Sequence, residues 1–369
     1  MMNYSFELNN ARKDETFASG KITAQSPVVE IFCAMANGEE LAKYGKKADV
    51  AAKYIKELGS KASNGDMGAV SELNEIRKFA IQPKLLQEIK LLGLFGSYKP
   101  LGWGETAYLE KMSYENVRAD IQAEGQDVST AFARKSKTAL APITISAGHK
   151  VNYREIALGD MSSENVLMGE VQKEIRNKAT MYVIETVYKA IESATGVKYF
   201  YENAGLTKTD VDALLTKIRR YGKPNVNGDY AVLAQFLPWV GYAGTVGANT
   251  ITGVSQKVLD EIADTGIVGT YNGAVLNEIP NGYNFNKLTS DGKNYDTILP
   301  AGLAFVAPTA PVGGVAPIQS FSIGGLTSFS GNSVSTGEVL TRYDLSIACG
   351  VAATDAIGII HDTNLDTLA

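Results

Sequence analysis

One uninterrupted helical pattern, from about Ser162 to Thr195, constrains this chain more than any other feature. Val171, Ile175 and Ala179 are spaced by four, and Ile184, Val187 and Ile191 continue at three and four. Glu174–Lys178 and Glu185–Lys189 are favourable i,i+4 pairs. Ser162 or Ser163 can cap the start, with Glu164 in the first turn, and Gly196 can end the helix in left-handed geometry. At ~1.5 Å per residue such a helix spans roughly 50 Å, long for a domain of this size. Taken alone, it reads as a long core helix.

The rest of the chain is shorter-ranged. Residues 1 to about 48 show no sustained periodicity and read as an extended arm punctuated by Asn9-Asn10, Gly20 and Pro27. Residues 49–60 read as a short helix with Asp49 as N-cap and Gly59 as stop. Residues 67–92 have helical spacing that Pro83 is expected to interrupt. Residues 93–104 read as a loop with aromatic anchors. From Tyr108 the pattern turns to strands, and 115–155 reads as a long, polar β-excursion, stable only if it lies on something else. After the long helix, Thr207-x-x-Asp210 opens a second amphipathic helix. Ala231–Phe236 reads as a buried strand and Ser255–Ala263 as a helix. A turn at 269–273 precedes a strand at 274–279, Asp291-Gly292 is a hairpin turn, and Leu303–Ala307 is an apolar strand. Strand-like alternation fills 338–360, and no internal repeat is visible.

Composition then excludes classes of function. The net charge is −5, which argues against a general nucleic-acid coat. Met1–Glu7 has neither a basic n-region nor an apolar h-region, so no signal peptide is expected. Cys33 and Cys349 match no zinc or CxxC spacing and read as reduced thiols in a cytosolic product. Two runs carry no Asp, Glu, Lys or Arg: Tyr230–Gln256 and the 41 residues Thr297–Gly337. Four prolines and many glycines in the second rule out a membrane-spanning helix. Neutral runs of this length read either as surfaces hidden in an assembly or as core strands joined by neutral loops.

Catalytic signatures are sparse. His149 and His361 are the only histidines, and HExxH, GxSxG and GxxxxGK[ST] are all missing. Gly102-Trp103-Gly104 neither follows a clean strand nor opens a helix. His149 follows Gly148 in an expected hairpin and reads as a turn or surface histidine. Glu115, Asp120, Glu124 and Asp127 lie along the β-excursion and could meet cations, although their spacing fits no metal loop. Nothing calls for a cofactor. Arg134, Lys135 and Lys137 form the densest basic patch outside the helices. It reads as a solvated loop or as a charge contact to a neighbouring subunit, with nucleic-acid contact third for want of interleaved aromatics.

The order of parts is specific: an arm, a long polar β-excursion, one very long helix, a mixed α/β segment with neutral loops, and a returning strand. Gly269-Thr270-Tyr271-Asn272-Gly273-Ala274-Val275 resembles the "GTYxGxPV" strand entry of the major capsid proteins of tailed bacteriophages, a fold shared with encapsulin shells. Thr341-Arg342-Tyr343-Asp344-Leu345 resembles that family's C-terminal strand. The resemblance covers about 105–369 and implies an α+β fold. Residues 1–104 would be an N-terminal arm with helical segments, and 115–155 an extended β-hairpin loop overlapping the adjacent subunit. Residues 105–114, 156–205 and 320–369 would make a peripheral domain with spine helix 162–195, and 206–319 an axial α/β domain. The implied function is self-assembly, through pentamers and hexamers, into an icosahedral shell around double-stranded DNA, without catalysis. Interface candidates are Arg134, Lys135, Lys137, Glu124, Asp127, Trp239 and Tyr242. Scaffold, portal and decoration proteins are implied as further partners. The implied location is the virion, assembled in the host cytoplasm, with no membrane. Three alternatives stand beside this reading: an encapsulin-type compartment shell, a hydrolase using paired carboxylates, and a surface or tail structural protein.

Overall fold

The computed structural model describes residues 26–89, 93, 95–114, 121, 132–151, 153–159, 161–240, 242–246, 249–253, 256–289, 292–309, 314–332 and 339–368. It opens with three helices, Pro27–Ala36, Lys46–Ser63 and Met67–Ile89. Within the expected extended arm, Pro27–Ala36 is thus an α-helix and Leu41–Tyr44 a 3-10 turn. Val28, Val29, Ile31, Phe32, Ala34 and Ala36 are all buried, a narrow stripe of Pro27, Glu30 and Cys33 reaches solvent, and the ten residues hold a single charged side chain.

The second helix begins before Asp49, which sits in its first turn, and runs through Gly59. A Cβ at Gly59 would lie 2.8 Å from the main-chain nitrogen of Ala157 and 2.9 Å from Cγ2 of Ile156. The glycine thus admits the short helix Tyr153–Leu158 at close range and does not stop its own helix. The third helix continues through Pro83 without the expected break. Fully buried Leu73, Ile76, Ile81 and Leu85 anchor it on both sides, and that packing outweighs the ~3 kcal/mol a helix-interior proline costs.

A four-stranded sheet has the order Ser97–Leu101, Ile318–Asn332, Val339–Val351, Ile143–Val151. Ser97–Leu101, expected as loop, pairs parallel with Ile318–Asn332. Ile143–Val151, expected in the β-excursion, is an edge strand of this sheet, antiparallel to Val339–Val351. Ile145, Leu345 and Ile347 turn to the core, which commits the segment to the sheet. The third helix and the long helix lie on the sheet. The long helix is Ser162–Glu192, roughly 46 Å by the same rise. Met161 stands at its N-cap with no side-chain cap, Ser163 donates to Glu155 instead, and Ser193 is the C-cap, three residues before Gly196.

A six-stranded mixed sheet follows in the order Tyr199–Asn203, Gly358–Asp362, Leu303–Pro308, Pro224–Gly228, Ala274–Glu278, Thr270–Tyr271. All of Leu303–Pro308 is buried. Its side chains alternate: Leu303 and Phe305 enter the main core with Phe95 and Ile359, while Ala304 and Val306 face a second core. The helix Lys208–Ile218 closes that second core with Val211, Leu214, Leu215 and Ile218. Thr207 caps this helix, accepting from the Asp210 N–H as its spacing requires. Tyr230–Leu233 is helical and Ala234–Trp239 a 3-10 turn, where a strand was expected. Asp229 accepts the Ala231 N–H at 2.8 Å and starts the helix, a cap that a bare apolar run does not reveal. Neutral Leu303–Pro308 and Ile318–Phe321 are thus largely core strands of the subunit itself.

Candidate functional site

The strands Tyr108–Tyr114 and Ala133–Ala139 pair antiparallel as a separate two-stranded ribbon. A lone ribbon is marginal in water, so its root must be held. Gln319, buried in the four-stranded sheet, holds it. Its Oε1 accepts the Glu110 N–H at 3.0 Å, and its Nε2 donates to the Glu110 carbonyl at 2.8 Å. One side-chain amide thereby pairs with Glu110 as a neighbouring strand would. Leu109 and Leu140 pack beside Gly350, where a Cβ would meet Leu140 at 3.0 Å and Leu109 at 3.1 Å. Buried Ala107 clusters with Phe321 and Ala348.

Away from the root the ribbon is open to solvent. Met112 is exposed, as is Phe132 just before the second strand. Register places Glu110 opposite Lys137, Met112 opposite Lys135 and Ser113 opposite Arg134. The Glu110 carboxylate meets Lys135 at 2.6 Å and Lys137 at 3.1 Å, and these two ammonium groups hold its carboxyl below the usual range. Two of the three expected interface cations are thus already paired within the ribbon. Arg134 is exposed and pairs with no acid among the described residues. Glu124 and Asp127 lie outside the described residues. Trp239 is half-buried against Phe236 at 5.2 Å and Tyr271 at 6.0 Å, inside the subunit's own aromatic cluster. Tyr242 begins the strand Tyr242–Val246, which pairs with Asn249–Gly253.

A buried polar cluster that sequence reasoning missed lies where the third helix, the long helix and the four-stranded sheet meet. Arg77 makes a bidentate contact with Glu164, Nε to Oε2 at 2.7 Å and Nη2 to Oε1 at 2.9 Å. Arg77 Nη1 and Thr341 Oγ1 both donate to Asn74 Oδ1, at 3.1 and 3.2 Å. His149 is mid-strand, opposite Thr341, and stacks on Tyr343 with centroids 5.7 Å apart. It is therefore no turn or surface residue. Burial, and secondarily the Arg77 charge, push its pKa below the ordinary value against a smaller opposing pull from Glu164.

A pocket of about 340 Å³ at one end of the six-stranded sheet is lined by Asp229, Glu278, Asn281 and three tyrosines, Tyr230, Tyr283 and Tyr295. Asp229 and Glu278 are the sort of carboxylates a hydrolase pairs. The two Asp229 oxygens, however, accept from the Ala231 N–H and from Asn281 Nδ2 at 2.7 Å, as structural caps. Cys33 and Cys349 are both free thiols, and burial pushes Cys349 up to about 11. No helix among the described residues is long and apolar enough to cross a membrane.

The family described as "SPbeta prophage-derived putative capsid protein YonB" matches residues 16–361, nearly the whole chain. The protein is thus one of the phage-derived capsid proteins, a structural class of α+β fold. Within that class, it belongs to the YonB family. No curated protein matches it. Among solved structures it is similar to a virus-like particle from Pyrococcus furiosus (10% identity, TM-score 0.42, covering 76% of this chain and 97% of that one). It is also similar to the mature capsid of bacteriophage PhiM1 (12%, TM-score 0.43, 73% and 86%). A third is the SrpI encapsulin complex from Synechococcus elongatus PCC 7942 (9%, TM-score 0.43, 75% and 88%).

Proposed function

We propose that this chain is the major capsid protein of a tailed bacteriophage. In this reading it self-assembles through pentamers and hexamers into an icosahedral shell around double-stranded DNA, and it carries no catalysis of its own. The ribbon Tyr108–Tyr114/Ala133–Ala139 supports the assembly step: it is clamped at its root by Gln319 and leaves Met112 and Arg134 exposed. An exposed ribbon edge with apolar side chains is a template for another chain. The ribbon would lie across an adjacent subunit, with the long helix as spine of a peripheral domain and 206–319 as an axial domain. Arg134 and Lys111 are its exposed charges with no ion-pair partner among the described residues, while Lys135 and Lys137 act mainly to fix Glu110. Trp239 and Tyr242 would serve axial contacts. A net charge of −5 suits a shell that holds DNA without adhering to it. Portal, scaffold and decoration proteins would complete the particle, built in the host cytoplasm.

Sedimentation velocity of the purified chain beside a Met112→Asp/Arg134→Glu variant tests the reading. The parent is expected in large shell species, and the variant in small oligomers with an unchanged melting temperature. Equal sedimentation of the two would remove the ribbon from the assembly contact. Nuclease-protected DNA inside the particles separates a viral shell from a compartment holding protein cargo.

A further inference from the structure

The six-stranded sheet is electrically polar along its strands. Pro224–Gly228 and Ala274–Glu278 run parallel, with Glu278 opposite Gly228. Gly358–Asp362 and Tyr199–Asn203 run the same way, because both are related to Pro224–Gly228 through the antiparallel strand Leu303–Pro308. The C-terminal ends of these four strands share one edge, which carries Glu202, Asp229, Glu278 and Asp362, with Asp210 in the helix turn just beyond. The cations there are Lys208, His361, which lies 3.3 Å from Glu202, and, on the hairpin that lines the pocket, Lys287, paired with Asp296, and Lys293. Asp362 is buried and accepts from the Gly205 N–H and Gln235, so Glu278 is the exposed acid at the pocket. The opposite edge, roughly 17 Å away along a five-residue strand, carries Lys198, Lys217, Arg219, Arg220 and Lys223. Among the acids there, Asp212 accepts from Tyr271 and Asn272 and Asp355 from Tyr221, and exposed Glu192 lies beside Lys198, which donates to its carbonyl.

The two edges also differ in shape. The acidic edge holds the 340 Å³ pocket, whose Tyr230, Tyr283 and Tyr295 are 47%, 57% and 44% exposed, with Glu278 exposed at its lining. Tyrosine faces and a carboxylate together suit a guanidinium, which stacks and pairs at once. On the basic edge, Arg219 donates to the Asn272 carbonyl and Lys217 lies over the Tyr199 ring. Arg220 is exposed; its main-chain N–H donates to the Lys217 carbonyl at 3.2 Å, while its guanidinium makes no hydrogen bond or ion pair among the described residues.

We propose that copies of this chain associate head to tail through these two edges, with Arg220 of one copy entering the tyrosine pocket beside Glu278 of the next. The contact rests on the assembly reading and names its partner surface. It is heterologous, so repeating it generates a ring when the rotation closes. Opposite charge on the two ends sets direction and register, and disfavours the head-to-head arrangement.

The test is charge reversal in the full chain, with assembly followed by sedimentation against protein concentration at low salt. Both side chains are exposed, so Glu278→Lys and Arg220→Glu are expected to fold with parental circular dichroism, and Lys223→Glu serves as a second basic-edge variant should Arg220→Glu not. Each single reversal should raise the concentration for half-assembly on the order of tenfold or more. The Glu278→Lys/Arg220→Glu double variant should recover most of that loss. Single variants that assemble like the parent, or a double variant no better than the worse single, would overturn the head-to-tail contact while leaving the shell reading in place. A parent chain that never assembles overturns both.

Discussion

Arg77 and Glu164, 87 residues apart in sequence, form a bidentate ion pair whose side chains are 0% and 2% exposed. It fastens the third helix to the first turn of the long helix, and Asn74 extends it to Thr341 in the sheet. A buried pair is weak evidence of net stabilisation, but removing one partner strands a charge. Arg77→Met is therefore expected to destabilise the fold by about 3–5 kcal/mol in denaturant unfolding. The double variant Arg77→Met/Glu164→Leu should recover much of that loss. Additive losses would mean that the two residues act separately.

Gln319 predicts a local effect. Gln319→Leu keeps the side-chain bulk but leaves the Glu110 N–H and carbonyl without their partner. At ~1–3 kcal/mol for an orphaned polar group, amides of Tyr108–Tyr114 and Ala133–Ala139 should exchange roughly tenfold faster or more. Amides in the long helix should exchange as before. A uniform change across the chain would show that the clamp is global.

His149 predicts the pH dependence of folding. Its pKa is lower in the folded state than the ~6.5 of the unfolded chain, so the unfolded state binds the extra proton. Stability should fall as pH drops through about 6.5 and level off below the folded value. Arg77 from the third helix, Glu164 from the long helix and Tyr343 from the neighbouring strand face the ring. His149→Phe should flatten the melting-temperature profile between pH 7 and 5, and a slope equal to the parent's would place the titration elsewhere.

Gly59 predicts a steric cost. A side chain there would sit 2.8 Å from main chain in the Tyr153–Leu158 helix, which cannot rotate aside. Gly59→Val should lower the melting temperature although valine is tolerated in helices generally, and an unchanged melting temperature would show that the two helices separate easily.

The long helix was legible because its apolar residues repeat over many turns and its end signals lie within three residues of the observed ends. Thr207-x-x-Asp210 and the 269–273 turn were legible because their chemistry is local. The helix Pro27–Ala36 was not, because its ten residues carry one charged side chain, Glu30, too little to mark a polar face. Tyr230–Leu233 was misread because four apolar residues fit strand and helix alike, and the deciding cap, Asp229, stands outside the run. The functional surfaces were half visible. Arg134, Lys135 and Lys137 stood out as a charge cluster, but only register across the ribbon reveals that Glu110 neutralises two of them. Gln319 and the Arg77–Glu164 pair join positions 209 and 87 residues apart, a relation no local pattern carries.

Negative-stain electron microscopy of the purified full chain, over a range of concentration at moderate salt, tests the shell account most directly. The account predicts closed hollow particles, or rings of five and six subunits. A single species of about one chain's mass, 39.5 kDa, at every concentration would contradict it.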